Sequence, residues 1–258
     1  MLPFERLRAL ARSGGDDTSF VVDAADCLAE FQHDPTQLVT VCRRLLAHHV
    51  ECGPLWWLCA HVVAAADPAT GAREAVRRLE GDRTATRLGS LLPFPHDDPI
   101  AVLGWPEIAG DALLDRPDLD VVAVRPRASD PSMVARLRRN EHTIRVIDEH
   151  ELSALAPTHL LLESSAAGPT HALLPPGAAD LLWALPDSSA CWLVLGVGRL
   201  LPARLYEVLR DEALRNDLDV VEMEVNEFQQ VAGPAGLEAP DRLIHRVDCP
   251  VAPELLRL

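Results

Sequence analysis

The chain has 258 residues, with 24 basic residues that are all arginine against 39 acidic ones, for a formal net charge of −15. That balance argues against binding nucleic acid or an anionic membrane, since both rest on clustered cations, and the missing lysine removes a Schiff base, a P-loop lysine and a lysine general base together. With 48% apolar residues the chain can bury the core of one large domain or two small ones, and its composition is not that of a disordered protein.

No apolar run reaches the roughly 18 residues of a membrane span. The longest, residues 55–66, is interrupted by His61. The N-terminus sets Glu5, Arg6, Arg8 and Arg12 among its leucines and lacks the apolar stretch of a secretory signal, so a cytoplasmic protein is expected. Six cysteines, none in a Cys-x-x-Cys pair, predict reduced and buried thiols.

Residues 1–92 read as a helical domain. In 36–50, Leu38, Val41, Leu45 and Leu46 follow helical spacing, and Gly53-Pro54 ends that helix and opens the next. There Leu55, Trp56, Trp57 and Leu58 are consecutive and cannot all face inward on one helix. The tryptophans are therefore expected at an inter-domain contact or a partner surface. Asp67-Pro68 supplies an N-cap and a first-turn proline for a helix through Ala72, Ala75, Val76 and Leu79 that Gly81 ends.

Pro93, Pro95 and Pro99 then mark a linker. Beyond it, strands predicted at 100–103, 119–124, 143–147, 159–162, 191–195 and 219–225 alternate with helices at 107–114, 130–139, 149–155, 177–185 and 202–215. A loose loop at 233–240 precedes a last short strand at 242–247. This alternation of apolar strands and helices predicts an α/β fold, with a Rossmann-like, doubly wound parallel sheet over 96–258. Ligands on such sheets sit at the carboxyl ends of the strands.

Candidates for chemistry lie at those ends. Arg125 and Arg127 suit a phosphate, because a guanidinium pairs bidentately with phosphate oxygens; the alternative is a salt bridge to Asp120, Asp130 or Asp148. Glu107 and Glu163 at two strand ends could divide acid and base roles, or one of them could cap a helix. Gly196-Val197-Gly198-Arg199 lies between a strand and a helix, where backbone amides can face a phosphate, but Leu201 stands where the dinucleotide fingerprint needs its third glycine. A tight turn explains that segment equally well. Ser164-Ser165 and Ser188-Ser189 are outside any Gly-x-Ser-x-Gly, so no serine triad is expected. His159 and His171 flank a glycine-containing loop as a pair able to titrate near neutrality. Cys42, His48, His49, Cys52, Cys59 and His61 lack zinc-site spacing, and neither metal nor cofactor is expected.

The order of these segments resembles the family of eukaryotic initiation factor 2B regulatory subunits, methylthioribose-1-phosphate isomerase and ribose-1,5-bisphosphate isomerase. Val124-Arg125-Pro126, then Met133 and Leu137, then Thr143 to Asp148 fall at the family's spacing for two strands and a helix. Leu160 to Glu163, the Gly168-Pro169 turn and the helix entered at Gly177-Ala178-Ala179 follow its glycine-rich segment. The departures are chemical. The loop Gly104 to Gly110 lacks the isomerases' cysteine, their catalytic aspartate position falls on Leu162-Glu163-Ser164, and Leu174-Pro175 replaces Asn-Lys. Isomerisation needs a positioned acid and base, so the resemblance implies a divergent, non-catalytic relative. It also implies a homodimer formed through the C-terminal domain and a small phosphorylated sugar or nucleotide near Arg125, Arg127, Ser164, Gly177, Gly196 and Gly198. An active isomerase using Glu107 or Glu163, and an interaction protein with no small-molecule site, are the alternatives.

Overall fold

The computed structural model describes residues 17–92, 99–126 and 144–257. Arg127 and the helix expected at 130–139 lie outside the described residues.

Five helices come first among the described residues: α1 (Asp17–Ala29), α2 (Pro35–His48), α3 (Gly53–Ala64), α4 (Pro68–Glu80) and α5 (Thr84–Leu91). Asp34 caps α2 by accepting the Gln37 amide at 2.9 Å, and Pro35 occupies the first turn, where its missing N–H has no partner to lose. Leu38, Val41, Cys42, Leu45 and Leu46 then form its buried stripe. Trp56 and Trp57 are fully buried together with Leu55 and Leu58, so they form no partner surface; they lie instead where the helices pack against the second part of the chain, the inward one of the two expected places. What fails is the premise that the four cannot all face inward: α3, polar only at His61, lies among α1, α2, α4 and the two-residue strand Ala166–Ala167. Each indole keeps a partner, Trp56 Nε1 donating to the Val50 carbonyl at 2.9 Å and Trp57 Nε1 to Asp248 Oδ1 at 3.2 Å.

The second part runs β1 (Ile100–Leu103), α6 (Glu107–Leu114), β2 (Val121–Val124), β3 (Arg145–Ile147), α7 (Leu152–Leu155), β4 (His159–Glu163), β5 (Ala166–Ala167), β6 (His171–Leu174), α8 (Ala178–Ala184), β7 (Ala190–Val194), α9 (Ala203–Arg215), β8 (Val221–Glu224), β9 (Gln230–Gly233) and β10 (Gly236–Glu238). The main sheet has the order β10-β9-β7-β4-β1-β2-β3, parallel throughout except for the β9–β10 hairpin. Its strands alternate between two covered faces. Ile100, Val102, Leu161 and Trp192 meet Leu88 of α5 and Ala109 and Leu113 of α6, whereas Ala101, Leu160, Leu162 and Leu193 meet Ala178 and Leu181 of α8. The core of α1 to α4 continues into Leu201, Leu205, Tyr206 and Leu209 and closes on Cys249, Ala252 and Leu255. All six cysteines are buried free thiols.

Three expectations in the C-terminal third need correction. The strand expected at 219–225 is β8, but it pairs antiparallel with β6 in a separate three-stranded sheet, β5-β6-β8. The loop expected at 233–240 contains the turn of the β9–β10 hairpin and β10 itself, which opens on Gly236 at φ +107°. The strand expected at 242–247 is replaced by a 3₁₀ turn at Pro240–His245, which buries only Leu243 and so needs no strand periodicity.

Candidate functional site

From β1 the chain winds outward in both directions, to β2 and β3 on one side and to β4, β7 and β9 on the other. The topological switch point is therefore the gap between the carboxyl ends of β1 and β4, where doubly wound sheets place their ligands. Gly104, at φ +66°, turns the chain out of β1 toward Glu107 at the start of α6. Glu163 ends β4 on the other side of the gap.

These two glutamates meet one buried guanidinium. Glu163 Oε2 accepts the amides of Ile108 and Ala109 at 2.8 and 2.9 Å, so its carboxylate sits on the N-terminus of α6, where free N–H groups and the helix dipole favour an anion. Its Oε1 lies 3.1 Å from Arg199 Nη2, with side-chain exposures of 5% and 7%. The same Nη2 is 3.2 Å from Glu107 Oε2, and Glu107 Oε1 accepts the Thr18 hydroxyl at 3.1 Å. Arg199 Nη1 donates to the Ser164 carbonyl at 2.8 Å. Among the described residues the crevice thus brings together two carboxylates and one guanidinium, tied to α1, α6, the end of β4 and the turn after β7.

Where the neighbouring turn offers an amide to an anion, the protein again supplies the anion itself. Val197 N donates to Asp82 Oδ2 at 2.9 Å, while Asp82 Oδ1 accepts the Thr84 amide at 2.8 Å and its hydroxyl at 2.6 Å. The two glycines of this turn are fixed by packing. A Cβ on Gly196 would come within 2.3 Å of Ile108 Cδ1, and Gly198, at φ +81°, lies against Pro54.

The other sequence candidates are placed elsewhere or face inward. The Ser164 hydroxyl is fully buried and is directed at the carbonyls of Ala166 and Leu173, at 2.8 and 2.7 Å, where it closes the corner between β4 and the small sheet. Arg125 is 65% exposed after β2, with Nε 3.0 Å from Asp148 Oδ1. Gly177 caps α8 at φ +91°. Gly196 and Gly198 border a cavity of 210 Å³ beyond the ends of β7 and β9. His159 and His171 do not form a pair: His159 opens β4 and edges onto Trp192 at 4.8 Å, and His171 opens β6 beside the Thr170 hydroxyl.

Arg199, Asp82 and Thr18 are the members of this arrangement to which sequence reasoning assigned no role. Arg199 directly follows Gly-x-Gly, yet nothing in its neighbours says that it turns inward. Among the described residues no group of three or more His, Cys, Asp or Glu is placed to hold a metal ion, and no helix is long and apolar enough to cross a membrane. Burial and contact with Cys42 push the Cys59 thiol well up.

No protein-family model and no curated protein matches this sequence. Solved structures do match its fold. eIF2B beta from Chaetomium thermophilum superposes with a TM-score of 0.72 at 12% identity, over 98% of this chain and 92% of that one. The translation initiation factor eIF-2B of Pyrococcus horikoshii OT3 gives 0.70 at 12% identity, over 94% and 98%. A chain of the tetrameric eIF2B-beta2-delta2 complex from C. thermophilum gives 0.69 at 13% identity, over 94% and 92%. The architecture is thus that of the eIF2B subunits along nearly the whole chain, and the resemblance read from segment order holds at the level of fold.

Proposed function

We propose that this chain is a divergent, non-catalytic protein of the eIF2B-like fold, cytoplasmic, that acts by binding a protein partner and pairs with a second copy of itself. One observation carries the reading: the positions at the switch point that would receive a substrate's phosphate and exchange its proton hold the protein's own charges. Glu163 occupies the N-terminus of α6, Asp82 occupies the amide of the glycine turn, and Arg199 lies between Glu107 and Glu163. A substrate would have to displace a buried, hydrogen-bonded ion cluster, and breaking such a cluster is strongly unfavourable. On this reading Arg125 is a surface ion pair, not a phosphate ligand.

Two further points support a partner. Trp183 on α8 is 75% exposed, and an exposed tryptophan is the residue type most often found at the energetic centre of an interface. One of the structural neighbours was solved as a tetramer.

The test has two arms. A thermal-shift panel of sugar phosphates and nucleoside monophosphates is expected to leave the melting temperature unchanged, because a ligand that binds only the native state must raise it. A shift abolished by Arg125→Ala would instead establish a phosphate site and reopen isomerisation. Light scattering on the eluting protein is expected to give twice the chain mass, falling toward one chain in Trp183→Ser; a monomer at all concentrations overturns the self-pairing.

A further inference from the structure

The cavity beyond β7 and β9 lies outside the crevice of Glu107, Glu163 and Arg199, and it differs from that crevice in chemistry. Its walls are apolar, formed by Leu195, Val197, Leu200, Val231 and Leu243. Its charged lining consists of two ion pairs. Arg78 of α4 bonds Asp248, and Arg246 bonds Glu238 at the end of β10 through Nε at 2.9 and 3.1 Å and through Nη2. Arg78 also lies over the Trp57 ring, 4.9 Å from its centroid. All four charged side chains reach solvent, with exposures of 42% and 50% for Arg78 and Asp248 and 51% and 20% for Arg246 and Glu238. The apolar walls therefore lie inward of a charged border.

The size and the charge pattern limit the occupant. At 210 Å³ the cavity is smaller than the roughly 300–1,000 Å³ of sites for drug-sized ligands, which selects a small metabolite and excludes a dinucleotide. Each charge of the border is already held by its partner, so a simple anion or a simple cation that took one member of a pair would strand the other, and only a ligand carrying both charges can replace both partners at once. A ligand bearing both charges at one end gains from both kinds of group, while its uncharged end enters the apolar walls.

We propose that this cavity binds a small zwitterion with an apolar side chain, that is, a free hydrophobic α-amino acid. Its carboxylate faces Arg78 and Arg246, its ammonium faces Glu238 and Asp248, and its side chain lies among Leu195, Val231 and Leu243. This site goes beyond the proposed function and does not depend on it, because it leaves the switch-point cluster intact.

Titration calorimetry on the full chain tests it, with L-leucine as the probe beside 4-methylpentanoate, 3-methylbutylamine and glycine. L-Leucine is expected to bind at least tenfold more tightly than each of the other three, which lack the ammonium, the carboxylate or the side chain. Ala235→Trp places bulk at the border from an exposed hairpin turn and is expected to weaken L-leucine at least tenfold, as is Arg246→Gln. Should Arg246→Gln fail to fold, Ala235→Trp and the ligand series still decide. Absence of L-leucine binding at millimolar concentration, discrimination below tenfold, or unchanged affinity in Ala235→Trp overturns the proposal. None of these outcomes bears on the phosphate panel, so the two readings fail separately.

Discussion

Two arginines follow parallel strands in this sheet, Arg125 after β2 and Arg199 after β7, and the fold gives them opposite roles. Arg125 is 65% exposed and faces an Asp148 that is itself 54% exposed, so water screens the pair. Arg199 is 7% exposed and lies between two carboxylates, one of them held by helix amides. An arginine at a strand end is thus a surface charge or a structural keystone according to what closes over it. Here Glu107 of α6 and the end of β4 enclose Arg199, whereas Arg125 leaves β2 toward solvent beside the edge strand β3.

The sharpest way to break this comparison is Arg199→Met, which leaves Glu107 and Glu163 facing each other without the cation between them. Urea unfolding is expected to show a loss of roughly 3–5 kcal/mol, the range for removing one partner of a buried ion pair. Glu163→Gln keeps the shape and an oxygen for the α6 amides but removes the charge, and a smaller loss of about 1–3 kcal/mol is expected in the same measurement.

A third expectation concerns pH. Burial, and then the nearby Arg78, lower the His61 pKa from 6.5 to about 4, against a smaller opposing effect of Glu74. Between those values the unfolded chain binds a proton that the folded chain refuses, so this group makes stability fall as pH drops from about 6.5 to about 4, with no further loss below that. The fall in melting temperature across that window should be shallower in His61→Gln. The smallest effect belongs to Arg125→Ala, expected within about 0.5 kcal/mol of the parent, as for other exposed ion pairs. A loss as large as that of Arg199→Met would erase the contrast between the two arginines.

Much of the fold was legible in the chain because its signals are local. The helix read at 107–114 is α6, the alternation of apolar strands with helices gave the parallel sheet, and Gly81 stops α4 as its position suggested. The small sheet was not legible. β5 has only two residues, and β6 finds its partner β8 some fifty positions along the chain, a pairing that no nearby periodicity encodes. The tryptophan pair was legible as an inter-domain contact, but not the full enclosure of α3, because neighbours on several sides come from distant parts of the chain.

The site divides in the same way. Sequence alone picked out Glu107 and Glu163 as carboxylates at strand ends, excluded lysine chemistry, and pointed to the eIF2B-like order of segments. Only the tertiary structure decided that Arg199 turns inward to bridge both glutamates, that Glu163 caps α6, and that Asp82 takes the amide of the glycine turn. The physical reason is that a residue's type fixes its charge and hydrogen-bonding capacity, while desolvation and the identity of its partner decide how that charge is used. Both depend on elements brought together from positions 18, 82, 107, 163 and 199.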